Sequence, residues 1–128
     1  MEPIPGLTDS TAHEVVDSAL KVHRALGPGL LECIYEVCLV HELRKRGVKV
    51  IQQQAVPVFY DNIRLESGLR LDLLVNDSVI VEIKAVEKLL PVHTAQALTY
   101  LKLTGHRLAL LINFNVTLIK DGISRIAL

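Results

Sequence analysis

The stretch Leu69–Ala85 limits the fold of this chain more than any other segment. Side chains along a strand alternate between two faces. Leu71, Leu73 and Val75 therefore share one face, and Asp72 takes the other. Beyond Asn76-Asp77-Ser78, a run of turn-forming residues, Val79, Val81 and Ile83 share a face while Glu82 and Lys84 point away from it. Opposed residues on paired strands project from the same face. Centring the turn on Asp77 sets Asp72 opposite Glu82 and Leu71 opposite Ile83, which gathers the apolar residues on one side. A two-residue Asn76-Asp77 turn slips the pairing by one, sets Glu82 opposite Leu71 and mixes charge into the core. The pattern thus predicts an antiparallel hairpin with an odd-numbered turn, carrying two carboxylates and a lysine side by side.

Around this hairpin the periodicity predicts an α/β domain with a mixed sheet. A first helix starts near Thr8 or Thr11, where Thr11-Ala-His-Glu14 has capping-box spacing. Its apolar face holds Val16, Ala19, Leu20 and His23, with Val15, Val22 and Leu26 alongside, and Gly27-Pro28-Gly29 stops it. A second helix runs from about Leu30 to Arg46, with Leu31, Ile34, Val37 and Cys38 as its buried face. Val48–Gln54 and Val56–Tyr60 read as strands, with Pro57 at an edge or bulge, and Asp61-Asn62 reads as a turn. A third helix begins near Pro91, runs to about Leu103 and closes at Gly105. Arg107–Phe114 is apolar on both faces, as a covered strand is. Thr117–Lys120, Asp121-Gly122 and Ile123–Ile126 read as a terminal hairpin.

Two carboxylates held close repel each other unless a positive charge joins them. Hard oxygen donors of this kind suit magnesium or manganese, whose retained waters can act as nucleophiles. A neighbouring lysine can orient such a water and stabilise charge on a phosphoryl group. The same alternation also describes an ordinary solvated strand face laced with salt bridges, and the spacing alone leaves both readings open.

Asp72…Glu82-Ile-Lys84 on a hairpin resembles the signature of the PD-(D/E)XK nucleases, which include restriction endonucleases, RecB-like nucleases and Holliday-junction resolvases. Gly29-Leu-Leu-Glu32-Cys-Ile-Tyr35 resembles the namesake motif of the GxxExxY family, a small branch of that superfamily. Gln96-Ala-Leu-Thr-Tyr100 is similar to the Gln-x-x-x-Tyr motif of RecB-like members. Val22-His-Arg-Ala-Leu-Gly-Pro-Gly29 and the tail Asn113-Phe…Lys120-Asp-Gly-Ile123 are also similar to the GxxExxY family. The similarity runs from about Leu7 to the C-terminus; Leu71 stands where the superfamily name has proline. The resemblance implies one domain over residues 1–128, a restriction-endonuclease-like mixed sheet flanked by helices, and Mg²⁺- or Mn²⁺-dependent hydrolysis of DNA or RNA. Asp72 and Glu82 would bind the metal, with the Ile83 carbonyl as a further ligand and Glu32 as a third acid, and Lys84 would position the attacking water. Gln96 and Tyr100, four apart on one helical face, would contact substrate or position Lys84. Tyr35 would support the site by packing and hydrogen bonding, and His93 would reach phosphate. Glu32 also reads as a first-turn acid complementing the helix dipole, His23 as a hydrogen-bonded, partly buried histidine, and His93 as a solvated one.

Composition adds restraint. The net charge is zero at pH 7, whereas affinity for nucleic acid rests mainly on basic groups at phosphates, so any such surface must be a local patch. Arg44-Lys45-Arg46 with Lys49 is the one basic cluster, and a solvated helix end accounts for it as readily as a DNA-binding patch. Half the residues are hydrophobic, and the longest apolar run, Leu108–Ile112, is far too short to span a bilayer. Met1–Ser10 has neither the basic start nor the apolar run of a secretory signal. Cys33 and Cys38 diverge on a helix by roughly 140°, which suits two small buried hydrophobes in a reducing compartment. These features point to a cytoplasmic protein without a membrane partner. A domain this small covers little of a duplex, which favours a homodimer. The alternative to an enzyme is a non-catalytic nucleic-acid-binding or assembly module on the same fold.

Overall fold

The computed structural model describes residues 3–128; Met1 and Glu2, at the head of the segment read as lacking a secretory signal, lie outside it. The elements in chain order are α1 (Gly6–Leu26), α2 (Glu32–Lys45), β1 (Val50–Tyr60), β2 (Ile63–Val75), β3 (Val79–Lys84), α3 (Pro91–Thr104), β4 (Leu108–Asn113), a 3-10 turn (Ile119–Gly122) and β5 (Ile123–Ala127). Five strands form one sheet in the order β1-β2-β3-β4-β5. All neighbours are antiparallel except β3 and β4, which run parallel and are joined through α3. The sheet is mixed, as expected.

Helices cover both faces. On one side α1 and α2 enclose Val15, Ala19, Tyr35, Leu39 and Leu43 against Leu73, Val75, Val81, Ile83 and Leu110. On the other, Ala97 and Leu101 of α3 pack on Leu71, Leu74, Ile80, Ala109 and Leu111. The central strands β3 and β4 are buried on both faces, which is why their sequences read as continuous apolar runs. Their C-terminal ends, next to the start of the crossover, carry Glu82, Lys84 and Asn113.

The hairpin register agrees with the apolar patterning. Leu73 faces Val81, Leu74 faces Ile80 and Val75 faces Val79. The turn holds three residues, with Asn76 and Asp77 at φ 50° and 54°, and the Ser78 N–H donates to the Val75 carbonyl at 3.0 Å. One expectation fails here. Leu71 does not share a face with Leu73 and Val75; it packs with Leu74 against α3. The β1-β2 ribbon switches faces at Gln53 and Asp72. Gln52 pairs with Leu73 and Gln54 with Leu71, yet Gln53 between them has φ 52°.

Other corrections have local causes. Helix α1 begins at Gly6 after Pro5, so Thr11-Ala-His-Glu14 is no cap; Thr11 is buried inside the helix and its Oγ1 accepts from Asn76 Nδ2 at 3.0 Å. Val16 and Leu26 of the expected α1 face are partly exposed. In α2 the buried face is Tyr35, Leu39, Val40 and Leu43, while Leu31, Ile34 and Val37 lie exposed. Apolar residues surround this helix, so periodicity could not choose its inner side. Cys33 is exposed and Cys38 half-buried, not both buried. Val48–Gln54 and Val56–Tyr60 form one edge strand, β1, broken in register between Val56 and Val58 at Pro57. Strand β2 starts at Ile63, well before Leu69. Thr117–Lys120 is not a strand: β5 returns directly onto β4. The turn before it passes so close to β4 that a Cβ on Gly122 would lie 2.1 Å from the Asn113 carbonyl oxygen.

Candidate active site

Strands β2 and β3 pair regularly as far as Leu73 and Val81 and then part. The two carboxylates occupy the gap. Glu82 Oε2 accepts from the Asp72 N–H at 2.9 Å, and Asp72 Oδ2 accepts from the Ile83 N–H at 2.8 Å. Each acid thus satisfies a backbone donor that a continued ladder would have used. In a strand the N–H and C=O of one residue point to the same edge, so the Ile83 carbonyl faces this gap too. Lys84, half-buried, follows Glu82 on the same face of β3.

Electrostatics mark the acids as mutually costly. Glu82 is only 4% exposed, and its carboxyl pKa is pushed up to about 8, first by burial and next by the charge of Asp72. Glu32, at the first turn of α2, lies within the field of Lys84 and Asp72 and near the Ala85 backbone, which favours its charged form. Although the residue as a whole is exposed, the atoms packed around its carboxyl raise its pKa, and Lys84 opposes that shift. The chain thus brings Glu32 beside the hairpin, forty residues ahead of Asp72. Tyr100 of α3 also reaches the cluster. Its phenol pKa is raised by burial, then by the charges of Glu82 and Asp72. Gln96 lies one turn earlier on α3 and is exposed.

Two of the supporting residues are committed to structure. Tyr35 is fully buried and stacks on Phe114 at 4.6 Å. Its hydroxyl donates to the Gly27 carbonyl at 2.6 Å and accepts from the Leu30 N–H at 3.1 Å, fixing the Gly27–Leu30 loop that leads to Glu32. His93 uses Nδ1 to accept from the Leu90 N–H at 2.9 Å. That bond holds the start of α3 and leaves only Nε2 for any other partner. His23 is buried, with Nε2 2.8 Å from the Val116 carbonyl oxygen. The basic cluster is likewise engaged within the fold. Arg44 donates to the Val50 carbonyl, Lys45 pairs with Glu42, and Arg46 bridges to Glu14 and Asp17 of α1.

Asn113, which the sequence places only at the head of the tail motif, takes a definite role in the structure. It is buried at the end of β4, where its Oδ1 accepts from the Val86 N–H at 3.1 Å and its Nδ2 donates to the Val86 carbonyl at 2.9 Å. This pair fixes the chain just beyond Lys84 and Ala85. An amide directly after the apolar run Leu108–Ile112 was the available signal.

The donor set suits a hard divalent cation. Two carboxylates share a gap with a backbone carbonyl, and burial raises the cost of leaving both charged. Among the described residues no three His, Cys, Asp or Glu side chains are gathered closely enough to enclose an ion. A site of one or two carboxylates completed by water is how magnesium is commonly held. No curated protein and no solved structure matches this chain. The sequence model of the PD-(D/E)XK nuclease superfamily matches it over residues 9–126. That span takes in α2, the hairpin with its two carboxylates, the crossover helix, strands β1 to β4 and nearly all of β5, so the fold is restriction-endonuclease-like and the chain belongs to the PD-(D/E)XK nuclease superfamily.

Proposed function

We propose that this protein is a Mg²⁺- or Mn²⁺-dependent nuclease hydrolysing phosphodiester bonds of DNA or RNA, in the GxxExxY, RecB-like branch of the superfamily. The observation that carries this reading is the Asp72–Glu82 pair in the gap between β2 and β3 with Lys84 on the same face. Asp72, Glu82 and the Ile83 carbonyl would be the metal ligands, and Glu32 would support them through water. A bound divalent ion supplies Lewis acidity at the phosphoryl group and acidifies water. Glu82 must lose its proton to ligate, so binding releases a proton below about pH 8. The Lys84 ammonium orients the attacking water and stabilises charge on the phosphoryl oxygens. Tyr100 and Gln96 line the α3 side of the site and contact substrate, while Asn113 holds the Lys84 end of β3 through Val86. His93 Nε2 is the remaining group on α3 for a phosphate contact.

The test is hydrolysis of single-stranded, double-stranded and branched substrates with Mg²⁺ or Mn²⁺, beside Lys84→Ala. Cleavage by the parent and its loss in Lys84→Ala, with metal binding retained, is the expected result; equal activity in both removes Lys84 from the chemistry. A second reading, a non-catalytic binding or assembly module, draws on two observations: the Arg44–Arg46 cluster is spent on internal partners, and the chain carries no net charge. No cleavage with any metal would favour it. The exposed apolar side of α2, Leu31, Ile34 and Val37, supports a homodimer, and two free cysteines fit a cytoplasmic setting. Among the described residues no helix is long and apolar enough to cross a membrane.

A further inference from the structure

Gln53 sits within strand β1 with φ 52°, a conformation that L-residues other than Asn, Asp and His seldom adopt. It lies in the register gap opposite Asp72, between the pairs Gln52–Leu73 and Gln54–Leu71. The consequence runs through both strands. Ile51 and Leu74 face α3, and so do Val56, Leu69 and Leu71, although alternation from Leu74 would send Leu71 to the opposite side. The ribbon therefore turns over at Gln53 and Asp72 together. Gln52 and Gln53, although adjacent, both reach Glu36 on α2: Gln53 Nε2 donates to Oε1 at 3.0 Å and Oε2 at 3.2 Å, and Gln52 Nε2 to Oε2 at 3.3 Å. Two neighbours reach one partner only because the backbone between them is left-handed.

We propose that Gln53, clamped by Glu36, is a positioning residue that turns the β1-β2 ribbon over and so aims the Asp72 carboxylate at β3. In an unbroken strand Asp72 would project from the sheet face, as its neighbours do. With the turnover its Oδ2 instead lies at the Ile83 amide, and its own N–H turns to Glu82. The bearing of this on catalysis rests on the nuclease reading; the aim of Asp72 does not. Glu36 is one turn beyond Glu32 on α2, so the helix that presents the third acid also fixes the strand that aims the first.

The experiment compares Gln53→Val, which disfavours a positive φ, with Gln53→Gly, which accepts it at no steric cost. Ala55→Val, exposed on the same strand and outside the turnover, is the control. Amide hydrogen exchange of Ile83 in the metal-free protein reports the Asp72 contact directly, and Mn²⁺ titration reports the site. Gln53→Val should speed Ile83 exchange about tenfold or more, weaken Mn²⁺ binding in parallel and leave Val81 protected. Gln53→Gly, which accepts the backbone but loses the bonds to Glu36, should fall between Gln53→Val and the parent, and Ala55→Val should stay near the parent in both readouts. Equal Ile83 protection in Gln53→Val and the parent overturns the proposal. If the parent binds no Mn²⁺, the metal-site reading falls while Ile83 exchange alone still decides the positioning role. Should Gln53→Val not fold, Glu36→Ala, which removes the clamp without opposing the backbone, must speed Ile83 exchange; an unchanged rate there overturns the proposal equally.

Discussion

Glu82 should make the metal-free protein lose stability as pH rises. Its carboxyl has a pKa of about 8 in the folded state against 4.5 as the ordinary value. Burial and the Asp72 charge raise it, so the folded protein holds a proton there that the unfolded chain has given up. Between those two values the folded state binds more protons, and stability therefore falls with increasing pH. The contribution is fully present below about pH 4.5 and is lost as pH climbs through 8. Each pH unit inside the window is worth about 1.4 kcal/mol. From pH 5.5 to 7.5 the loss is thus on the order of 2–3 kcal/mol, or about 10 °C in Tm for a domain of this size. Glu82→Gln keeps the shape of the side chain and its acceptor for the Asp72 N–H while removing the titration. Thermal unfolding in EDTA across pH 5.5–7.5, parent against Glu82→Gln, isolates the contribution of the Asp72–Glu82 gap, because groups remote from it titrate alike in both. The parent should fall away from the variant as pH rises. Parallel curves would refute the claim that the Asp72–Glu82 gap penalises a second negative charge.

Saturating Mn²⁺ at pH 7.5 should raise the Tm of the parent by mass action and leave Asp72→Asn unmoved; without metal, Asp72→Asn should melt no lower than the parent and should show a shallower pH dependence, because the charge beside Glu82 is gone. Tyr35→Phe should cost about 1–3 kcal/mol, since it strips a buried acceptor from the Leu30 N–H and a donor from the Gly27 carbonyl. Denaturant melts measure that loss, and unaltered stability would mean that water replaces the phenol.

The sequence by itself determined the hairpin pairing and hence the meeting of Asp72, Glu82 and Lys84. The side-chain period of two is exact along each strand near the turn, and only an odd-numbered turn keeps Leu73, Val75, Val79 and Val81 together. Helix α3 was equally legible, because Pro91 and Gly105 act locally at its two ends: Gly105 adopts the left-handed cap that few other residues tolerate. Where local signals were balanced, only tertiary structure decided. Helix α2 carries apolar residues on every side, so its inner face was settled by what it met: Tyr35 found Phe114, and Leu31, Ile34 and Val37 stayed outside. Thr117–Lys120 alternates like a strand, but the close pass of Gly122 over Asn113 uses that segment as a turn. The turnover at Asp72 was the least readable feature of all. It follows from a left-handed backbone at Gln53, on another strand, held by Glu36, on a helix. Nothing near Asp72 in the sequence encodes it, because the strain at one residue is stabilised by contacts with residues distant in the chain.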